Sequence, residues 1–416
     1  MARGEGRTTF TSVLRVREFR AMWLAEFFSV AGDQIARVAL SVLVFNRTNS
    51  AALTALTYAL TFVPALLGGI LLSGLGDRFP RRDVMIAADM IRAVLVGMMV
   101  IPGMPLWLLC VLVATMTLMS GPFKAAQQAL LPDVLHGEKY MVGMSIRNIT
   151  GQAAQLAGFA GGGVLVAKFG TSTGLGVNAA TFVVSAVLLL AVAHRAAPDR
   201  GSTAGMSFLA STGTGARMVW RDPALRALVA LNWLAGFYVV AEALAAPYVD
   251  GLGAGAIAVG LIMAADPLGS VIGAVIFGKW VPEHVQVRVI GVLGVLAGIP
   301  LGFCLFQPGL VASIMLFAMS GMLATGYNIQ GTVSFVRRLP NEFRAQGSGL
   351  NSAGLITVQG IGALAAGALA DFIGPAQAIA AAGIAGAIVA IPVALAWRRA
   401  RTSQPPAVPA RASSSH

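Results

Sequence analysis

Charge is scarce in this chain: Asp, Glu, Lys and Arg make up only 11% of its 416 residues, against 57% hydrophobic residues. So little polar surface cannot cover a soluble globule, which excludes most soluble enzymes. Cysteine is scarcer still. The two present, Cys110 and Cys304, lie inside apolar runs, so neither a disulfide framework nor a cysteine metal cluster is implied. Of the four histidines, His136 stands alone in a loop, and His194, His284 and the terminal His416 have no second histidine at ligand spacing. No Walker loop appears, and the many G-x-G patterns fall inside apolar runs, where they allow helices to approach. No catalytic constellation stands out, and no cofactor or metal is expected.

What the chain has in abundance is apolar runs of about 18–25 residues, the length a helix needs to cross a hydrocarbon core of roughly 30 Å. A membrane barrel would show shorter alternating segments. Twelve spans fall near 21–45, 51–75, 84–101, 105–122, 142–167, 173–193, 226–249, 255–278, 287–306, 310–332, 347–370 and 375–397. The predicted class is an all-α polytopic membrane protein with twelve transmembrane helices. The first span follows Arg15, Arg17 and Arg20, lacks a small-residue cleavage site and is too long for a signal peptide, so its retention is expected.

Short loops rich in Lys and Arg stay cytoplasmic. The even-numbered connections carry Arg78, Arg81 and Arg82; Lys124 and Lys139; Arg195, Arg200, Arg217 and Arg221; Lys279 and Arg288; and Arg337, Arg338 and Arg344. The opposite side holds little beyond Arg47 and Lys168. Both termini are therefore expected in the cytoplasm, in a plasma (inner) membrane. The net charge of +12 reads as a topology signal and an attraction to anionic lipid, not as nucleic-acid binding.

The chain also repeats itself at an offset of about 202–208 residues. Gly76 to Pro80 reads G-D-R-F-P and Gly278 to Pro282 reads G-K-W-V-P; Pro64 matches Pro267, Asn148 matches Asn351, Gln155 matches Gln359, and Leu131-Pro132-Asp133 matches Leu339-Pro340-Asn341. The expected division is a cytoplasmic segment 1–20, a six-helix half 21–194, a cytoplasmic linker 195–222, a second six-helix half 223–397, and a disordered cytoplasmic tail 398–416. Two parallel halves put a substrate site at their interface near the bilayer midplane, with alternating access by rocking.

On these residues the chain resembles the major facilitator superfamily over 15–397. The loop after span two, Ser73-Gly74-Leu75-Gly76-Asp77-Arg78-Phe79-Pro80-Arg81-Arg82, is similar to that family's G-x-L-A-D-R-x-G-R-R signature. Asp77, Arg78, Arg81 and Arg82 match; Ser73 and Pro80 stand where the family has glycine. The resemblance implies a cytoplasmic latch of these four residues with Asp89 and Arg92, directional guanidinium–carboxylate pairs that separate when that side opens. Plain positive-inside anchoring is the alternative, and it leaves Asp77 and Asp89 unexplained. Gly32-Asp33, Thr48-Asn49-Ser50, Asp89 with Arg92, and Leu131-Pro132-Asp133 resemble the drug–proton antiporter branch, which includes macrolide-efflux and enterobactin-export proteins. Gly158-Phe159-Ala160-Gly161-Gly162-Gly163 is similar to that branch's span-five glycine motif without its proline, and close helix packing explains it equally.

Glu26, Asp33 and Arg37 fall within about 40° of one another on a helix of about 100° per residue, and Asp33 lies about 18 Å along the span. Intramembrane charges usually face an aqueous cavity or a partner. A half-desolvated Asp33 suits loading and release of a proton, whereas Arg37 one turn on favours its ionised form, and a static Asp33–Arg37 pair is the alternative. Glu242 is the repeat counterpart of Arg37, so the two are expected to close the extracellular side. Asp266, beside Pro267, is a second proton site or a neutral acid held within the bundle.

Asn148, Gln152 and Gln155 form a stripe on span five, partly mirrored by Asn351 and Gln359; they line a substrate path or bond between helices. Trp23, Phe27, Trp233, Phe237 and Tyr327 are candidate aromatic contacts for substrate. Arg147 is expected at the cytoplasmic interface. The expected function is proton-coupled export of a small amphipathic or lipophilic compound by a monomer, with membrane lipid and proton as its other partners. An ion-coupled importer, a facilitator, or a non-transporting receptor or scaffold of the same fold are the alternatives.

Overall fold

The computed structural model describes residues 9–72, 74–195, 217–340 and 343–402. Among the described residues the chain is helical, with no strand. A short helix, Phe10–Leu14, leads into twelve long ones. The first six are α1 (Arg17–Thr48), α2 (Ala51–Leu72), α3 (Arg81–Met99), α4 (Leu106–Val134), α5 (Glu138–Phe169) and α6 (Thr171–Leu189). The second six are α7 (Pro223–Ala243, continued by Ala245–Gly251), α8 (Ala256–Trp280), α9 (Glu283–Phe306), α10 (Leu310–Arg338), α11 (Arg344–Ile373) and α12 (Pro375–Thr402). Ten of these are long and apolar enough to cross a membrane on composition alone. The other two, α3 and α5, carry charges at Asp89, Arg92 and Arg147 that are paired inside the bundle. Large apolar side chains such as Trp107, Val187 and Phe372 point outward, as a lipid-facing surface requires.

Several helices outrun their apolar spans at the end that carries the chain termini. The reason is simple: hydropathy falls where water begins, but an intrahelical hydrogen bond needs no apolar side chain. Lys124, expected in a loop, therefore lies within the α4 segment. Arg398 to Arg401, expected in a tail, belong to α12. The remainder of that tail and most of the linker lie outside the described residues.

The repeat is visible in backbone geometry. Each of three matching turns places a residue at positive φ: Asn49 and Gly253 after the first helix of each half (φ 49° and 68°), Gly103 and Gly309 before the fourth (77° and 79°), and Gly170 and Gly374 between fifth and sixth (84° and 94°). The second helix of each half approaches the fourth through a glycine. A Cβ at Gly68 would fall 1.9 Å from the Leu118 carbonyl oxygen, and one at Gly269 would fall 1.8 Å from that of Ala318. Side-chain pairs repeat with their signs exchanged: Arg81 at the start of α3 bonds Asp133 near the end of α4 at 2.7 Å, and Glu283 at the start of α9 bonds Arg337 near the end of α10.

At the head of α7, Asp222 caps Ala224 N–H at 2.8 Å and accepts from Arg338 Nε at 2.6 Å, with Pro223 in the first turn. Burial pushes this carboxyl up, but the Arg338 and Ala224 hydrogen bonds outweigh it and hold it below the usual carboxylate range.

The halves meet mainly through α2 against α11 and α5 against α8. Glycine permits both contacts. A Cβ at Gly260 would lie 2.5 Å from the Phe159 carbonyl oxygen, and one at Gly367 would lie 2.4 Å from Ala55 Cβ. These approaches fall toward the end remote from the termini, where α2 begins and α11 finishes. Asp371 of α11 reaches across the halves to the N-terminus of α2 there. It accepts from Ser50 Oγ at 2.8 Å and from the N–H groups of Ala51 and Ala52 at 2.7 and 3.3 Å. At the termini end of the first half, Phe19, Met85, Phe123 and Leu131 belong to a buried cluster of that half alone. The polar α5 residues Asn148 and Gln152 are exposed, which fits an opening between the halves at that end.

Candidate functional site

Polar and charged residues gather beside the interface between the halves. A cavity of about 270 Å³ is walled by α1 to α5, among them Glu26, Asp33, Arg37, Arg92, Lys124 and Gln155. A second, of about 220 Å³, spans both halves and brings Arg37, Tyr58 and Gln155 to Glu242, Asp266 and Tyr327, with Gln359 also on its wall. Arg37 and Gln155 belong to both walls. Glu26 continues the polar surface toward Arg147 and Asn148.

The shared face of Glu26, Asp33 and Arg37 is therefore a cavity wall, but the pairing within it differs from expectation. Asp33 bonds Arg92 at 2.9 and 3.2 Å, not Arg37. The same guanidinium contacts Asp89 at 3.3 Å and Ser29 Oγ at 3.4 Å, while Ser185 Oγ donates to Asp89 at 2.5 Å. Its Cζ stands 3.9 Å from the centre of the Phe182 ring. Asp89 and Arg92 are 0% and 3% exposed. They thus leave the loop latch and join Asp33 in a buried network linking α1, α3 and α6. Sequence spacing cannot reveal this, because the α3 face that meets α1 depends on helix packing.

Glu26 is held bidentately by Arg147 of α5, at 2.5 and 2.8 Å, and the same guanidinium donates to Gln127 Oε1 at 2.8 Å. Arg147 is thus a structural partner inside the first half and not a snorkelling interface residue. Glu242 accepts a short hydrogen bond from Tyr58 of α2, and Arg37 lies over the rings of Tyr58 and Phe62 at 5.6 and 5.5 Å. The expected Arg37–Glu242 encounter is therefore mediated by the Tyr58 ring and hydroxyl. Asp266 packs beside Gly321 within electrostatic reach of Glu242.

The aromatic candidates separate. Tyr327 lines the second cavity. Trp23 instead donates to Thr150 Oγ1 at 2.8 Å, and Trp233 to the Asn351 carbonyl at 3.2 Å; both tie helices within a half. Phe27 packs edge-on to Phe28, and Phe237 lies against Gly386. Asn351 is buried beside Trp233 and Gln152 is exposed, so neither belongs to a described cavity wall.

Of the latch residues, Arg81 bonds Asp133 at 2.7 Å and the Ala129 carbonyl at 2.8 Å; Arg82 bonds Asp83 at 3.3 Å and the Val192 carbonyl at 3.0 Å. Arg78 is exposed, and the Asp77 side chain lies outside the described residues. These contacts stay within the first half. Tyr58, Ser185 and Asp371 escaped the sequence reading, and Lys124 was read there only as a loop cation.

Two six-helix halves around a polar seam define a polytopic membrane transporter. The sequence model of the Major Facilitator Superfamily matches residues 22–327 and 234–415, and the chain belongs to that family. It is 26% identical over 384 residues to the enterobactin exporter EntS of Shigella boydii serotype 4 (strain Sb227), covering 90% of each protein. The EntS of Escherichia coli O6:K15:H31 (strain 536 / UPEC) matches to the same extent. Among solved structures, the nucleoside transporter NupG superposes with a TM-score of 0.72 at 14% identity, over 93% of this chain and 100% of that one. A bacterial homologue of the human lysosomal transporter Spinster, inward-facing and occupied, gives 0.71 at 14% identity, over 96% and 98%.

Proposed function

We propose that this transporter exports a small amphipathic compound in exchange for protons, by alternating access, with both termini in the cytoplasm of the plasma membrane. The observation that carries the reading is the seam itself: Glu242 and Asp266 from one half face Arg37 and Tyr58 from the other across a cavity, at the level where the halves are closed. A carboxylate inside a membrane is stabilised by a partner cation, by water or by a proton. Asp33 has Arg92 as its cation, and Asp33, Glu242 and Asp266 are the carboxyls through which proton occupancy would bias the seam.

With cytoplasmic termini, the state described is inward-facing. The Asp371 clasp and the glycine contacts of α5 with α8 hold the outer side shut. When that side opens, the Tyr58–Glu242 bond breaks, and Asp77, Arg78, Arg81 and Arg82 provide the latch that closes the cytoplasmic end. The name of the EntS relatives supports the outward direction.

Everted membrane vesicles carrying the protein, energised by an imposed pH gradient, test this. Accumulation of a lipophilic test compound should follow the gradient and fall in Glu242→Gln, Asp266→Asn or Asp33→Asn. Gradient-independent movement to equilibrium marks a facilitator, and movement of the compound out of the vesicles with the gradient marks an importer. No movement across a broad panel would sink the transport reading in favour of a receptor or scaffold.

A further inference from the structure

The cavity walled by the first half is built to donate hydrogen bonds. Four buried polar atoms on its wall have no hydrogen-bond partner among the described residues: three that can donate, Arg92 Nε, Gln127 Nε2 and Thr117 Oγ1, and one acceptor, Gln34 Oε1. Their side chains belong to residues only 3%, 2%, 5% and 7% exposed. Buried polar groups are seldom left unsatisfied, so such a set on one wall calls for a bound partner. The amide of Gln127 has a fixed orientation, because its Oε1 accepts from Arg147, a group that can only donate. Its Nε2 is therefore free to donate from the wall. The guanidinium of Arg92 commits its two terminal nitrogens to Asp33, Asp89 and Ser29, which leaves Nε–H.

Charge in the same cavity is uneven. Its acids, Glu26 and Asp33, are each bonded by an arginine. Lys124 extends from α4 onto the same wall, solvent-accessible, and forms no hydrogen bond or ion pair with the described residues. Thr117, Lys124 and Gln127 are spaced seven and three residues apart, so they occupy one helix face. Arg37, opposite, rests on the rings of Tyr58 and Phe62 without a bonded carboxylate among the described residues. The uncommitted charges here are both positive. Apolar surface from Val30, Leu40, Met116 and Phe123 completes the lining.

We infer that this cavity selects a substrate with an anionic, hydrogen-bond-accepting head on an apolar body, the head held by Lys124 with Gln127 and Thr117. The inference rests on the transport reading for its physiological sense, but it concerns binding. An anionic lipid headgroup offers the same chemistry, and the test separates the two sources.

Purified full-length protein in phosphatidylcholine nanodiscs is titrated with three dansyl probes that share a body and differ in head: dansylglycine (carboxylate), dansylglycinamide (neutral) and dansylcadaverine (ammonium). Dansylglycine should bind about tenfold more tightly than the amide, the scale of one charge-assisted hydrogen bond. Lys124→Gln should abolish that preference and Lys124→Arg should keep it, both variants melting as the wild type does. Equal binding of the three heads, binding of none, or a preference that survives Lys124→Gln overturns the inference. So does loss of dansylglycine binding when phosphatidylglycerol replaces part of the phosphatidylcholine, which assigns the site to lipid. If the head preference holds while vesicles move no compound of a broad panel, the transport reading fails and the anion site stands.

Discussion

Replacing Asp371 with alanine removes a carboxylate that ties the two halves together at the end remote from the termini. Three donors converge on it: the Ser50 hydroxyl at 2.8 Å and the first two N–H groups of α2 at 2.7 and 3.3 Å. The arrangement is an N-terminal cap supplied from another helix, and loss of a cap costs about 0.5–2 kcal/mol. A carboxylate beside a helix N-terminus adds about 0.3–1 kcal/mol at an exposed site. Asp371 is exposed, so the lower parts of those ranges apply and the sum is about 1–2 kcal/mol. On the alternating-access reading, the contact is made only while this end is closed. Its loss leaves each half intact and shifts the equilibrium between states by about 5- to 30-fold toward the outward-open one. Double electron–electron resonance reads this directly, with one spin label on the α1–α2 turn and another on the α11–α12 turn, after Cys110 and Cys304 are replaced by alanine. Asp371→Ala should populate a longer distance, and Ser50→Ala, which leaves both backbone donors, should do so less. An unchanged distance distribution in Asp371→Ala refutes the clasp.

Gly260→Val should force α8 from α5, because its Cβ would fall 2.5 Å from the Phe159 carbonyl oxygen; transport should be lost with expression retained, and the same spin-label pair should lengthen. Arg92→Ala strands Asp33 and Asp89, and breaking a buried ion pair in this way costs about 3–5 kcal/mol. The variant should melt lower in detergent, and addition of Asp33→Asn and Asp89→Asn should recover part of the loss. Asp222→Ala removes the α7 cap, at about 1 kcal/mol near neutral pH. Because the folded carboxyl titrates below its unfolded value, its contribution is complete above the ordinary carboxylate range and fades as pH falls through the folded value. The melting gap between wild type and variant should therefore close in acid; a gap independent of pH would show that the charge of Asp222 is not responsible.

The architecture was largely legible because a bilayer imposes its own length and polarity on every crossing segment. Apolar runs, basic loops and a repeated order of prolines and polar residues led to twelve helices in two halves. The face shared by Glu26, Asp33 and Arg37 could likewise be read, since helical periodicity alone fixes it. Their partners could not. Arg92 reaches Asp33 from α3 and Arg147 reaches Glu26 from α5, and which helix stands beside α1 is a property of packing that no local pattern carries. Lys124 was misplaced for a related reason: α4 remains helical past the point where its apolar run stops.

The exchanged signs of the pairs Arg81–Asp133 and Glu283–Arg337 bear on how such a chain assembles. A polypeptide built twice on one plan runs the risk that a helix from one copy docks into the vacant groove of the other during insertion. Were α3 to settle against α10, Arg81 would confront Arg337; were α9 to settle against α4, Glu283 would confront Asp133. Like charges would then repel at both mismatched junctions, and only the correct partnership of each copy with itself leaves every one of these ends neutralised.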